Sequence, residues 1–166
     1  GINFPILSDE IYIKDYGMTY SNTRYTENSI KITIKLAELL GYYVADGSIV
    51  GDNSTLVFTT CSKLDKRYLD KLIFDIFGIE FEQSITTYSK PGREEEYLKD
   101  IRYHVGVRIC KMLKTLCGPS SETKKIPTAI MFSSNDIKIA FLNGYNKCDG
   151  RSRSNYIEVS TISRLL

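Results

Sequence analysis

Residues 39–47 read LLGYYVADG and residues 142–150 read LNGYNKCDG, so one short chain carries Gly-Tyr and then Asp-Gly twice at the same spacing. A shift of 103 positions superposes Ile34 on Ile137, Lys35 on Lys138, Ala37 on Ala140 and Leu39 on Leu142. It also brings Gly41, Tyr42, Asp46 and Gly47 onto Gly144, Tyr145, Asp149 and Gly150. Eight of the fourteen positions from 34 to 47 are identical, the mark of an internal repeat. Any fold for this chain has to place two copies of one helix.

The first copy has Ile32, Leu36, Leu39, Leu40 and Tyr43 at helical spacing, which predicts a helix over 32–44. Asp46-Gly47 ends it, with Gly47 suited to a left-handed closing conformation. Strands are predicted at 48–50 and 55–60 around the turn GDNS. An amphipathic helix over 64–78 shows Leu64, Tyr68, Leu72, Ile73 and Phe77 on one side and ends in glycine. Strands at 79–89 and 97–106, separated by SKPGREE, precede a helix over 107–118. Pro127 suits the first turn of a short helix, and 137–148 repeats the opening helix.

This order predicts an α+β fold with four parts. Residues 1–31 form a polar arm or linker, 32–118 a first repeat, 119–134 a linker and 135–166 the start of a second repeat. After the second motif, TISRL (161–165) echoes TCSKL (60–64). A second unit as long as the first would need about a hundred further residues, so the repeat is read as incomplete.

Composition removes several function classes. No apolar run approaches the roughly 18 residues of a membrane span. The start, GINFPILSDE, has no secretory signal pattern, which predicts an intracellular protein. Cys61, Cys110, Cys117 and Cys148 lie far apart with no C-x-x-C pair, and His104 is the only histidine. Zinc clusters and histidine-based triads are therefore disfavoured, and buried reduced thiols and a structural His104 are expected. Charge is uneven: residues 1–86 carry 8 basic against 12 acidic side chains, and residues 87–166 carry 14 against 8. That asymmetry permits a nucleic-acid partner.

A glycine inside a helix costs about 1 kcal/mol relative to alanine, so its recurrence in both copies needs a reason. Small residues let two helix backbones approach, which makes Gly41 and Gly144 the predicted helix interface. If the helices pack in parallel, Asp46 and Asp149 emerge together at their C-terminal ends. Two carboxylates on negative helix termini repel each other, and a divalent cation such as Mg²⁺ relieves both problems. Asp46 and Asp149, with the following Gly47 and Gly150, are the predicted metal positions. Paired acids holding metal beside a phosphodiester suit metal-assisted hydrolysis.

The two segments LLGYYVADG and LNGYNKCDG resemble the paired signatures of the LAGLIDADG homing endonucleases. KKIP (124–127) resembles the K-x-I-P block that precedes the second signature in the intein-associated branch. The resemblance covers about residues 32–166. It implies αββαββα repeats whose saddle-shaped antiparallel sheets lie in the DNA major groove. It also implies Mg²⁺-dependent double-strand cleavage at a specific site, with Asp46 and Asp149 as the catalytic, metal-binding acids. Lys124 matches the lysine of the K-x-I-P block, expected near the scissile phosphate. Lys125 is its alternative, since only the spacing to Ile-Pro separates them.

Predicted DNA-facing residues are Ser48, Thr59, Ser62, Gln83, Thr86, Thr87, Arg102, Arg151 and Arg153, with Lys63, Lys90, Arg93 and Lys125 for phosphates. Tyr42, Tyr43 and Tyr145 are expected in the core. The second signature departs from the family pattern at Asn146, Lys147 and Cys148, and Lys147 is placed to disturb the acidic site. Gly1 and Leu166 do not supply the terminal chemistry of splicing, so an intein insert or a split half is expected, completed by a second polypeptide or a continuation. The alternative is a non-cleaving DNA- or RNA-binding module on the same fold.

Overall fold

The structure, a computed structural model, describes residues 9–13, 25, 27–87, 97–119 and 122–147. Helix α1 (Ile34–Asp46) is the centre of the molecule. Thr33 caps its N-terminus, the hydroxyl accepting the Leu36 N–H at 3.1 Å. Nine of its residues are buried, from Leu36 to Ala45 and on every side, as in a helix enclosed by its neighbours.

The chain passes from α1 straight into β3 (Gly47–Val50), which pairs with β4 (Thr55–Ser62). Gly47 is therefore not a left-handed cap: its φ is −83° and it is already extended. Glycine is needed there for space, because a Cβ would lie 2.9 Å from Tyr43 Cα. The left-handed residues are in the next turn, at Gly51, Asp52 and Asn53. Asp and Asn tolerate that conformation better than other side chains, and Asn53 accepts from Lys114.

Helix α2 (Lys63–Phe77) opens on a capping box between Ser62 and Asp65 and closes on Gly78 at φ +71°. Its buried stripe is Leu69, Leu72, Ile73 and Phe77. Leu64, expected on that stripe, is 72% exposed in the first turn, one step off the face that Leu69 starts. Ser62→Ala removes half of the capping box and is expected to cost about 1 kcal/mol. Urea unfolding should show the lower midpoint with an unchanged slope.

Strands β5 (Gln83–Thr87) and β6 (Tyr97–Tyr103) complete an antiparallel sheet in the order β3-β4-β6-β5. Leu56, Phe58, Ile101 and Tyr103 form its buried face, and Tyr42 of α1 meets Phe58 edge-on at 5.2 Å. The chain is thus α+β with antiparallel sheets. From α1 through α3 (Val107–Cys117) the order is helix, two strands, helix, two strands, helix. A short helix α4 (Thr128–Met131) leads into α5 (Asn135–Lys147).

Part of the region read as an arm belongs to the core. Strand β1 (Glu10–Tyr12) pairs with β2 (Ser29–Lys31), and Ile11, Ile13, Tyr25 and Ile30 are buried. Alternation explains it: Ile11 and Ile13 point inward while Tyr12 is 67% exposed. No helix among the described residues is long and apolar enough to cross a membrane.

Burial pushes the thiols of Cys110 and Cys117 up from 9.0 to about 12. Both should resist a thiol reagent at neutral pH until the chain unfolds, which peptide mapping of the labelled protein reads directly. Raised folded values mean that stability is intact below pH 9 and falls towards pH 12, as the unfolded thiols ionise first.

Candidate functional site

The repeated helices pack against each other through their glycines. A Cβ on Gly41 would overlap the Phe141 carbonyl oxygen and lie 2.9 Å from Tyr145 N. A Cβ on Gly144 would overlap the Glu38 carbonyl oxygen and lie 2.9 Å from Glu38 Cα. Each glycine therefore faces the carbonyl three residues before its counterpart, so the contact has local two-fold symmetry. Ile32, before α1, and Ile137, in the first turn of α5, line one cavity of about 270 Å³. The N-terminal ends lie together, and the helices run in the same direction. Tyr42, Tyr43 and Tyr145 are all buried, as expected.

Asp46 is the last residue of α1 and is half-buried. The Thr59 hydroxyl, from β4, donates to its Oδ1 at 3.1 Å. A carboxylate at the negative end of a helix dipole is electrostatically disfavoured and favours a nearby cation. Asp149 and Gly150, the corresponding residues of the second copy, lie outside the described residues.

Lys124 occupies the space beneath this helix end. It is 8% exposed, the one buried charged side chain among the described residues. Its Nζ donates to the carbonyls of Tyr43 at 2.7 Å, Val44 at 3.4 Å and Gly47 at 2.5 Å. The ammonium also stands 4.5 Å from the Tyr43 ring centroid. Sharp local geometry places it: Gly118, at φ +88°, lets Lys124 Cα come within 3.3 Å of where a Cβ would be. Tyr43 donates its hydroxyl to Gly118 O at 2.8 Å, and the Lys125 N–H bonds Cys117 O at 2.8 Å. The Lys125 side chain is exposed.

These contacts bear on the expected metal site. The Gly47 carbonyl faces an ammonium, a poor companion for a divalent cation on the same oxygen. The Asp46 carboxylate fits the donor preference of Mg²⁺, which takes one or two carboxylates and keeps several waters. No group of three or more His, Cys, Asp or Glu side chains suited to a metal occurs among the described residues. Lys147, expected to disturb the acids, instead places its ammonium 4.2 Å from the Tyr68 ring centroid. Tyr68 in turn donates to Glu38 at 2.8 Å.

The sheet face opposite the helices carries rows that are polar apart from Val57, which is itself buried. Ser48, Val57, Arg102 and Ser84 are aligned across four strands, and Thr59, Asp100 and Thr86 form the next row. Thr59 thus joins this face to Asp46. Arg102 is 3.7 Å from Asp100. Ser84 was not among the predicted contacts, although alternation back from Thr86 would have found it. His104, also unassigned in the sequence beyond a structural role, lies 3.2 Å from both Thr55 and Ser84 hydroxyls.

Two predicted DNA contacts have other work. Gln83 lies opposite Tyr103 and donates to Asp70 at 3.2 Å, towards α2. Ser62 is the α2 cap, and Lys63 is exposed at the start of that helix. Lys90, Arg93, Arg151, Arg153 and the side chain of Thr87 lie outside the described residues.

No family model matches the chain. Over 140 residues it is 27% identical to transcription initiation factor IIB of Methanocaldococcus jannaschii. The match takes in 84% of this chain and 19% of that protein, so the chain spans about a fifth of its relative's length.

Proposed function

We propose that this chain is a DNA endonuclease module of the LAGLIDADG type, cutting both strands of a specific site with Mg²⁺ or a similar cation. The observation that carries the reading is the two-fold glycine contact. It brings two sequence-related helices together in parallel, so that the Asp46 end of one and the matching end of the other share a location. The sheet supports it as well: its polar face begins at Thr59, bonded to Asp46, and carries Arg102 and Ser48 outward.

In this reading Asp46 and Asp149 hold the cation, and the Gly47 carbonyl does not. The cation, when bound, lowers the pKa of an attacking water and stabilises charge on the leaving oxygen. Thr59 fixes one Asp46 oxygen against the sheet. Arg102, with the adjacent hydroxyls, meets the nucleic acid, where phosphate contacts set affinity and base edges set specificity. The work is that of a protein with access to intracellular DNA.

The relative named as a transcription initiation factor agrees with a DNA partner, although the match takes in 19% of that protein. It also favours the second reading, a DNA-binding module that does not cut. Incubation with a randomised plasmid library and Mg²⁺, followed by sequencing of ends, separates the two. Recurrent ends that vanish with EDTA are expected. Salt-sensitive binding without ends would favour the second reading.

A further inference from the structure

The block KKIP offers two lysines, and their surroundings divide the roles between them. Lys124 is buried and donates to three carbonyls at the end of α1. The chain turns there from helix to strand without a linking residue, and the Gly47 N–H still closes the helix on the Tyr43 carbonyl, which accepts from Lys124 as well. A single ammonium, with three donors, spans both sides of that junction by reaching Tyr43 and Val44 before it and Gly47 after it. Lys125 is fixed by its own N–H to Cys117 and carries its side chain into solvent.

We infer that Lys124 is a positioning residue that holds the α1–β3 junction and so sets where Asp46 emerges, and that Lys125 is the lysine that meets the phosphate. This reverses the assignment made by matching KKIP to K-x-I-P. It rests on the nucleic-acid reading above. The physical ground is that a lysine serving a phosphate must bring a donor into solvent, whereas the ammonium of Lys124 is enclosed by backbone oxygens. Lys125 needs no rearrangement to reach an anion.

The test uses the full chain, its Lys124→Met, Lys124→Arg and Lys125→Ala variants, and a short duplex of randomised sequence. Anisotropy titrations over a salt series report the number of phosphates neutralised. Lys125→Ala is expected to weaken binding several-fold, reduce the slope of log K against log salt by about 0.9, and leave Tm unchanged. Lys124→Met should leave the slope unchanged and lower Tm by roughly 5 °C, because three carbonyls lose the ammonium they share. It should also speed exchange of the Gly47 amide proton, with Lys124→Arg recovering part of both losses. A slope that falls with Lys124→Met and not with Lys125→Ala overturns the inference. An unmodified chain without salt-sensitive DNA binding overturns the nucleic-acid reading itself, and the role of Lys125 with it.

Discussion

Gly41→Ala is expected to destabilise the protein by about 3 kcal/mol, at the upper end of what one added methyl costs in a packed interior. The obstacle is backbone. The new Cβ would overlap the Phe141 carbonyl and stand 2.9 Å from Tyr145 N, and neither atom can rotate away. Relief requires α1 and α5 to separate along their common length, which loosens Tyr42 and Tyr145 as well. Gly144→Ala should cost about the same, since its Cβ meets Glu38 in the symmetry-related way. The double variant should cost clearly less than the sum, because helices already parted by one methyl have room for the other. Urea unfolding of the three variants measures this. Single variants within about 0.5 kcal/mol of the parent, the range of ordinary surface changes, would show that the helices do not meet at these glycines.

The second large effect concerns chemistry. Asp46→Asn keeps the shape of the side chain and its capacity to accept from Thr59, but removes the charge that a divalent cation needs. On the proposed mechanism cleavage falls roughly 10³-fold or more, as when a main electrostatic group is lost from an active site. Affinity for DNA should stay the same or rise slightly, because one negative charge near the phosphates is gone. Asp149→Asn is expected to behave alike. A non-cutting module would show the change in affinity and nothing else.

The sequence and the structure part company in instructive places. The helices and most strands were legible because apolar spacing and glycine stops are local signals. The repeat pointed to the Gly41 and Gly144 positions because a glycine inside a helix needs a tertiary reason. Gly47 misled because glycine can answer either of two needs: its position suggested a left-handed backbone, whereas the need here is the missing Cβ demanded by Tyr43. The buried N-terminal strands were missed because three residues carry too little pattern to register. Gln83 and Ser62 looked like DNA contacts because a polar residue on a strand has two possible faces, and only pairing with Tyr103 or capping of α2 decides between them. Lys124 and Lys125 are adjacent and chemically alike, and only their spacing to Ile-Pro separates them in the sequence. Burial does.

On the endonuclease reading, Asp46 works at the end of a paired helix to cut DNA. That role is tested most directly by single-turnover cleavage of a recovered target by the parent chain against its Asp46→Asn variant, with binding followed in the same samples. Mg²⁺-dependent cutting by the parent, loss of cutting in the variant, and undiminished binding by the variant are expected. Cutting that survives Asp46→Asn, or binding by both with cutting by neither, would contradict it.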